Sequence, residues 1–498
     1  MRYQLDRRAF LLGSAGTLGA ACLGGALPVA SVALAVQATN LTIDRRTIDI
    51  RGRAASVFGI TQPDGTSGLV LDPGQPFRID LVNKIGEDTI IHWHGQKPPY
   101  PQDGVADRNV PLIAAGNTHS YDYHPTPGTH WMHSHHGVQE QALLAAPLIV
   151  RSQEEISADV QEVTILLHDF SFRQPEEILA GLTGGSAAGG HAMSGTGDMN
   201  GMGGMAGMDH AAMGHSGMGA SDGVKMPMTM DLNDVQYDAF LANDRTLDDP
   251  FVVRVERTGR ARLRIINGAA SSAFWIDLGA LGGRLVAVDG NPVAPMTASL
   301  FPLAIAQRID LIVDVPAGAF PVFAQVEGKR ERTGFILASP AATIFKVGSL
   351  ADSEAAPVDL SLESKLVASN PLADRQADAI FTMVLTGSMR PYTWAINDQL
   401  WPNVNRPIVR KGERVIVDIQ NSSMMAHPMH LHGHHFQVTG LNGERVVGAV
   451  RDTVLVPSMD SVQISFDADN PGRWAFHCHN LYHMATGMMT EVVYNTFA

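Results

Sequence analysis

Three stretches of this chain follow one plan, and that plan limits the fold before any side-chain chemistry is considered. Phe77-Arg-Ile-Asp-Leu-Val-Asn83, Ala261-Arg-Leu-Arg-Ile-Ile-Asn267 and Val415-Ile-Val-Asp-Ile-Gln-Asn421 each read as a strand closed by an asparagine. Nine residues after the first and third asparagines come His92-Trp93-His94-Gly95 and His430-Leu431-His432-Gly433. The middle copy has Ile276-Asp277-Leu278-Gly279 there, with the glycine kept and both histidines absent. Further on, Pro127-Gly128 leads to Trp131 and His133-Ser134-His135, as Pro471-Gly472 leads to Trp474 and His477-Cys478-His479. Such repetition implies three related β-domains, with metal-binding residues in the first and third only. A cluster fed by both would lie at their mutual interface.

A length of 498 residues suits this plan, at roughly 150 residues per domain. Alternating segments such as 308–314 and 448–456, punctuated by glycine and proline, read as β-sandwich strands and turns. No long helical periodicity is visible after the N-terminal stretch. The formal charge of −14 argues against a nucleic-acid-binding surface and is compatible with attracting a metal cation.

The densest chemistry is near the end, in His477-Cys478-His479-Asn480-Leu481-Tyr482-His483 followed by Met488. Side chains on a strand alternate between faces, so His477 and His479 point one way and Cys478 the other. The thiolate can then hold one metal while its neighbours hold a separate cluster behind it. Cys478, His483 and Met488, joined by His427 from His427-Pro428-Met429-His430, supply the ligand set of a blue-copper electron-transfer site. The covalent route from Cys478 to its flanking histidines would carry an electron to the cluster. A single His-x-His pair is weak evidence, since exposed strands carry such pairs by accident. Four pairs, giving eight imidazoles beside a Cys-His-His-Met set, are a far stronger signal.

The N-terminus reads as an address. Arg7-Arg8-Ala9-Phe10-Leu11-Leu12, followed by an apolar run rich in alanine and glycine, looks like a twin-arginine export signal over residues 1–35, with cleavage after Ala35. The expected location is the periplasm. A membrane anchor is the competing reading, weakened by the many small residues in the run. After cleavage Cys478 is the one cysteine left, so no internal disulfide is expected.

Taken together, the motifs resemble those of the three-domain multicopper oxidases, the group of laccases, bilirubin oxidases and bacterial cuprous oxidases, over most of residues 40–498. The resemblance implies an all-β chain of three cupredoxin-like Greek-key β-sandwich domains. These would span 40–155, 160–345 and 358–498, the middle one lacking cluster ligands and carrying a methionine-rich insertion at 193–230. Carried over by position, His427, Cys478 and His483 would hold a type 1 copper with Met488 axial. His92 and His430 would hold the type 2 copper, and His94, His133, His135, His432, His477 and His479 the type 3 pair. The family's reaction couples four one-electron oxidations at the type 1 site to reduction of O2 to two waters at the trinuclear cluster. The implied cofactors are four copper ions, and the implied partners O2 and either Cu(I) or a phenolic reductant. A monomer is expected, with no nucleic acid and no transmembrane span in the mature chain.

Proton supply is only partly legible. Asp103, eleven residues after His92, matches the acid that family members place beside the cluster, although an Asp in Gln102-Asp103-Gly104 is also ordinary turn chemistry. Many bacterial relatives have a glutamate directly after the last type 1 histidine, and here that residue is Met484.

The electron donor is suggested by composition. The run 193–230, of which Gly201-Met-Gly-Gly-Met-Ala-Gly-Met208 is typical, offers thioethers, soft ligands that favour Cu(I). A flexible linker with incidental methionines is the bland alternative. Met424 and Met425, just before His427, are a second candidate entry point. The leading expectation is Cu(I) oxidation in copper tolerance with laccase-like phenol oxidation. The alternatives are a laccase or bilirubin-oxidase-type enzyme with an organic donor, and a non-catalytic copper-binding or storage protein. His119, His124, His130, His136, His168, His434 and His435 have no complete ligand pattern and read as structural or surface residues.

Overall fold

The computed structural model describes residues 37–107, 110–184, 232–256 and 259–498. The twin-arginine stretch and the methionine-rich run 193–230 lie outside the described residues. Regular structure is overwhelmingly β, and the α-helices among the described residues are short: Gln153–Ser157, Pro175–Leu182 and Leu481–Ala485. None is long and apolar enough to cross a membrane.

The three repeated strands occupy equivalent places in three sheets. Phe77–Asn83 pairs parallel with Thr39–Ile50 and antiparallel with Thr118–Tyr123. Arg260–Asn267 pairs parallel with Gln161–Phe170 and antiparallel with Arg308–Asp314. Arg414–Asn421 pairs parallel with Ala379–Met389 and antiparallel with Ser461–Asp467. Each of these sheets has a companion, giving three two-sheet sandwiches of the cupredoxin type along the chain. In Phe77–Asn83 every second residue is buried, as expected of a strand with one face on a core.

The repeated asparagine has a specific job. Asn83, Asn267 and Asn421 are all buried, and each side chain accepts from the backbone N–H two residues on, at Ile85, Ala269 and Ser423. Each also donates to carbonyls of two neighbouring segments: Glu87 and Ile113, Ser272 and Leu303, Met425 and Val456. This side-chain turn closes one sheet and hands the chain to the other.

Just beyond the turn lie the strands that matter for metal binding. Ile91–His92 pairs with Gly128–Ser134, and His427–Leu431 lies between Thr453–Val456 and Arg473–Cys478. Their middle-domain counterpart, Phe274–Asp277, lies between Leu300–Leu303 and Ala319–Val326, with Ile276 buried in apolar company. The glycine after each pair of positions is explained at Gly433, where φ is +65° and a Cβ would lie 2.2 Å from the Trp474 ring.

The described residues from 38 to 498 form one compact unit. A continuous apolar core runs through the middle and third sandwiches, while the first has its own around Phe77, Trp93 and Leu148.

Candidate metal centres

The first centre lies wholly in the third sandwich. Cys478 ends the strand Arg473–Cys478, and His483 is one turn into the helix Leu481–Ala485, whose start is capped by Asn480. His427 opens the neighbouring strand. Cys478 Sγ lies 3.6 Å from Nδ1 of both His427 and His483, and those two nitrogens are 3.1 Å apart. The far nitrogens are already engaged: His427 Nε2 with Ser423 Oγ at 2.7 Å, and His483 Nε2 with the Asp234 carboxylate at 3.3 Å. With Nε2 committed outward, both Nδ1 atoms present lone pairs to the sulfur and to each other. Met488 is fully buried, and its backbone bonds Cys478 and His483 directly, fixing it beside the trio.

The second centre joins the first and third sandwiches. Three sets of histidines bring their ring nitrogens within 4.8 Å of one another: His92 with His94 and His430, His94 with His133 and His479, and His135 with His432 and His477. Alternation along a strand places both members of each His-x-His pair on one face. The strands end at His92, Leu431, Ser134 and Cys478, so the second histidine of each pair lies just past its strand. Members of a pair thereby reach different sets, except at His92 and His94.

The rings are oriented from outside. His92 Nδ1 donates to the Asp103 carbonyl (2.9 Å) and His432 Nδ1 to the Asp103 carboxylate (2.8 Å). His430 Nδ1 donates to the Asp452 carbonyl, and His94 Nε2 to the Asp452 carboxylate at 3.0 Å. His133 Nδ1 donates to Glu140 at 2.8 Å. On the inner side, Nε2 atoms face one another at 3.4 Å for His92 and His430, 3.4 Å for His133 and His479, and 3.0 Å for His432 and His477. His94 instead turns inward an Nδ1 that has no protein partner.

This arrangement fits metal ions. Burial, reinforced by neighbouring imidazoles, lowers His94, His133, His135, His430, His432 and His479 well below the usual histidine range, so the rings stand neutral. Neutral rings whose outer nitrogens donate must point lone pairs inward, and opposed lone pairs at such distances are reconciled by a cation between them. Burial also pushes the Cys478 thiol up, a group that a bound cation would instead hold as the thiolate. Thiolate with two imidazoles suits copper.

A buried charge network backs the second centre. Arg308 of the middle sandwich makes a two-pronged pair with Asp452 (2.7 and 2.6 Å) and lies near Asp289, which also pairs with Arg451 at 3.0 Å. Gly95 has φ of +86°, and a Cβ there would strike His130, Arg308 and Asp452. Its missing side chain is the space through which Arg308 reaches the pair.

Three two-sheet sandwiches with one buried Cys-His-His set and eight buried imidazoles define a metalloprotein of the three-domain cupredoxin class. Models of multicopper oxidase domains match residues 43–155, 161–345 and 375–497. Multicopper oxidase MmcO of Mycobacterium tuberculosis is 30% identical over 468 residues, covering 91% of this chain and 86% of that protein. Copper resistance protein A of Escherichia coli is 26% identical over 617 residues, covering 99% of each. The crystal structure of laccase from Botrytis aclada has the same fold, with a TM-score of 0.71 at 21% identity over 92% of this chain and 87% of that one. The chain belongs to the multicopper oxidase family and is a copper-binding oxidoreductase.

The twelve ligand candidates named from the sequence, and Asp103, come to one or other of the two centres; Met424, the outer half of the candidate entry point, is exposed, and the run 193–230 lies outside the described residues. Four residues that surround the centres escaped the sequence reading: Asp234, Arg308, Asp452 and Glu140. Arg451-Asp452 inside the apolar stretch from Val450 to Val456 was a usable signal, because charges on a buried strand must be paired. Glu140 and Asp234 carried none, since single acids in polar stretches are ordinary.

Proposed function

We propose that this chain binds four coppers and couples four one-electron oxidations of Cu(I) to reduction of one O2 to two waters. His427, Cys478, His483 and Met488 would hold the type 1 copper. His92 and His430 would hold type 2, and His94, His133, His135, His432, His477 and His479 the type 3 pair. Bound copper would supply the one-electron and oxygen chemistry. The chain supplies geometry: Cys478 is covalently adjacent to His477 and His479, the shortest through-bond link between the centres. The Asp103 carboxylate bonds His432 Nδ1, and its second, buried oxygen makes no hydrogen bond but lies 3.4 Å from His92 Nδ1, which places it to hold a proton beside the cluster. The sandwiches are assigned to 40–155, 160–345 and 358–498, and the protein to the periplasm as a monomer exported by the stretch at 1–35. Retention of an Arg7→Lys, Arg8→Lys variant in the cytoplasm would support that route, and normal export would refute it.

One observation carries the choice of Cu(I). The outward nitrogen of His483 is capped by Asp234, a middle-domain carboxylate that also accepts from Asn480 Nδ2 at 2.5 Å, and both the His483 and Asp234 side chains are fully buried. A carboxylate at the electron-entry histidine favours a cationic donor over a neutral phenol. Asp234 also lies four residues after the methionine-rich run 193–230 in the sequence. The run would gather Cu(I) through its thioethers. Deleting residues 193–230 is expected to lower kcat/KM for Cu(I) and leave phenol oxidation unchanged or improved. Equal loss for both donors would reject this reading, and loss for phenols alone would favour a laccase with an organic donor.

A further inference from the structure

The strand that carries His133 runs into a short turn, Gln139–Ala142, whose first three side chains are polar and buried. Each is spent on a different partner. Gln139 accepts from the hydroxyls of Thr89 and Ser134, both at 2.8 Å, and donates to the Asp88 carbonyl. Gln141 accepts from Tyr237 at 2.8 Å and Tyr482 at 2.9 Å, and donates to Asp169. Tyr237 and Asp169 belong to the middle sandwich. Tyr482 belongs to the third, in the helix between His479 and His483. Glu140, between the two glutamines, places Oε2 at 2.8 Å from His133 Nδ1.

We propose that Glu140 is the positioning residue of His133, and that its turn sets the first-sandwich imidazole in register with the ligands of the third. The competing acceptor for His133 Nδ1 is the Ser134 carbonyl at 3.1 Å, a neighbour in its own strand. The Glu140 carboxyl oxygen, at the shorter distance, is the closer acceptor and fixes the tautomer that turns Nε2 towards His479. The anchors on either side keep the carboxylate from swinging away: Gln139 ties the turn to its own sandwich, and Gln141 ties it to the other two. Displacing the turn would therefore move His133 relative to His479, which lies across the interface between sandwiches.

This inference rests on the proposed assignment of His133 to the coupled copper pair. The test compares wild type, Glu140→Leu and Glu140→Gln as full-length proteins. Metal-free samples report the His133 tautomer by nitrogen NMR, and loaded samples report copper per chain, the blue band and the near-ultraviolet band of the coupled pair. Glu140→Leu should lose the single Nδ1–H tautomer and weaken copper binding at the coupled pair about 10–100-fold, with the blue band intact. Glu140→Gln, whose carbonyl can still accept from Nδ1–H, should recover the tautomer and most of the loading. An unchanged tautomer and unchanged loading in Glu140→Leu would overturn the inference. So would equal loss of both bands without rescue by glutamine, which marks a general packing role. Wild type that turns blue but takes up no coupled pair would overturn the ligand assignment itself, and the inference with it.

Discussion

The middle and third sandwiches share a frame and differ in what they do with it. Both have the parallel-paired strand, the asparagine turn and, twelve residues past that asparagine, the glycine. Where the third places His430 and His432, the middle places Ile276 and Leu278, both buried. Each of the two strands lies between two antiparallel neighbours, so the frame is separable from the metal chemistry. The middle sandwich nevertheless serves both centres from outside. Arg308 holds Asp452 behind His94, Asp234 caps His483, and Asp169 and Tyr237 anchor the turn behind His133. Without ligands of its own, this sandwich acts as a source of buried charge.

The largest difference between the two should come from the third sandwich's own ligands. Cys478→Ser is expected to abolish the blue colour and turnover together, because it removes both the soft donor and the covalent link to His477 and His479. Absorption and steady-state kinetics on the loaded variant check this, and full activity would break the account.

Next in size is the support given by the middle sandwich. Arg308→Ala strands the Asp452 carboxylate, which is fully buried. Breaking such a pair destabilises by about 3–5 kcal/mol. Denaturant unfolding of the metal-free protein measures the loss. Adding Asp452→Asn should recover part of it, because the uncompensated charge is then gone.

The smallest effect concerns the seam between these two sandwiches. Glu327 of the middle one accepts from the Val358 N–H at 2.6 Å, in the segment leading to the third. Burial raises this carboxyl to about 7. An acid raised in the folded state binds more protons folded than unfolded, so stability falls as pH climbs from the ordinary carboxyl value of 4.5 towards 7 and stays lower above it. Glu327→Gln keeps an acceptor for Val358 and removes the charge. It should stabilise the protein by about 1–3 kcal/mol above pH 7 and flatten the slope below. Thermal unfolding across that pH range checks the sign.

These contrasts reflect what a sequence can and cannot carry. The asparagine turn recurs because three sandwiches need the same hand-over between sheets, and a recurring need leaves a recurring pattern. The histidine pairs are legible because metal ligands demand rare residue types at fixed places on a strand. How each pair divides among the three sets of the second centre is not legible, because it depends on where a strand stops, at Leu431 and Cys478 for example. Arg308 and Glu140 were opaque for another reason. Arg308 meets Asp452 across 144 positions of sequence, and Glu140 stands in a polar turn that looks like any other.

The central claim is that the first and third sandwiches jointly hold the four resident coppers and that the strands of the middle one hold none. Anomalous diffraction at the copper edge, on crystals of fully loaded protein, tests it most directly. The account predicts four copper peaks: one beside Cys478, three among the eight histidines, and none against Ile276 or Leu278. A single peak at Cys478 with no copper among the histidines, or a peak against Ile276 or Leu278 on the middle sandwich's strand, would contradict it.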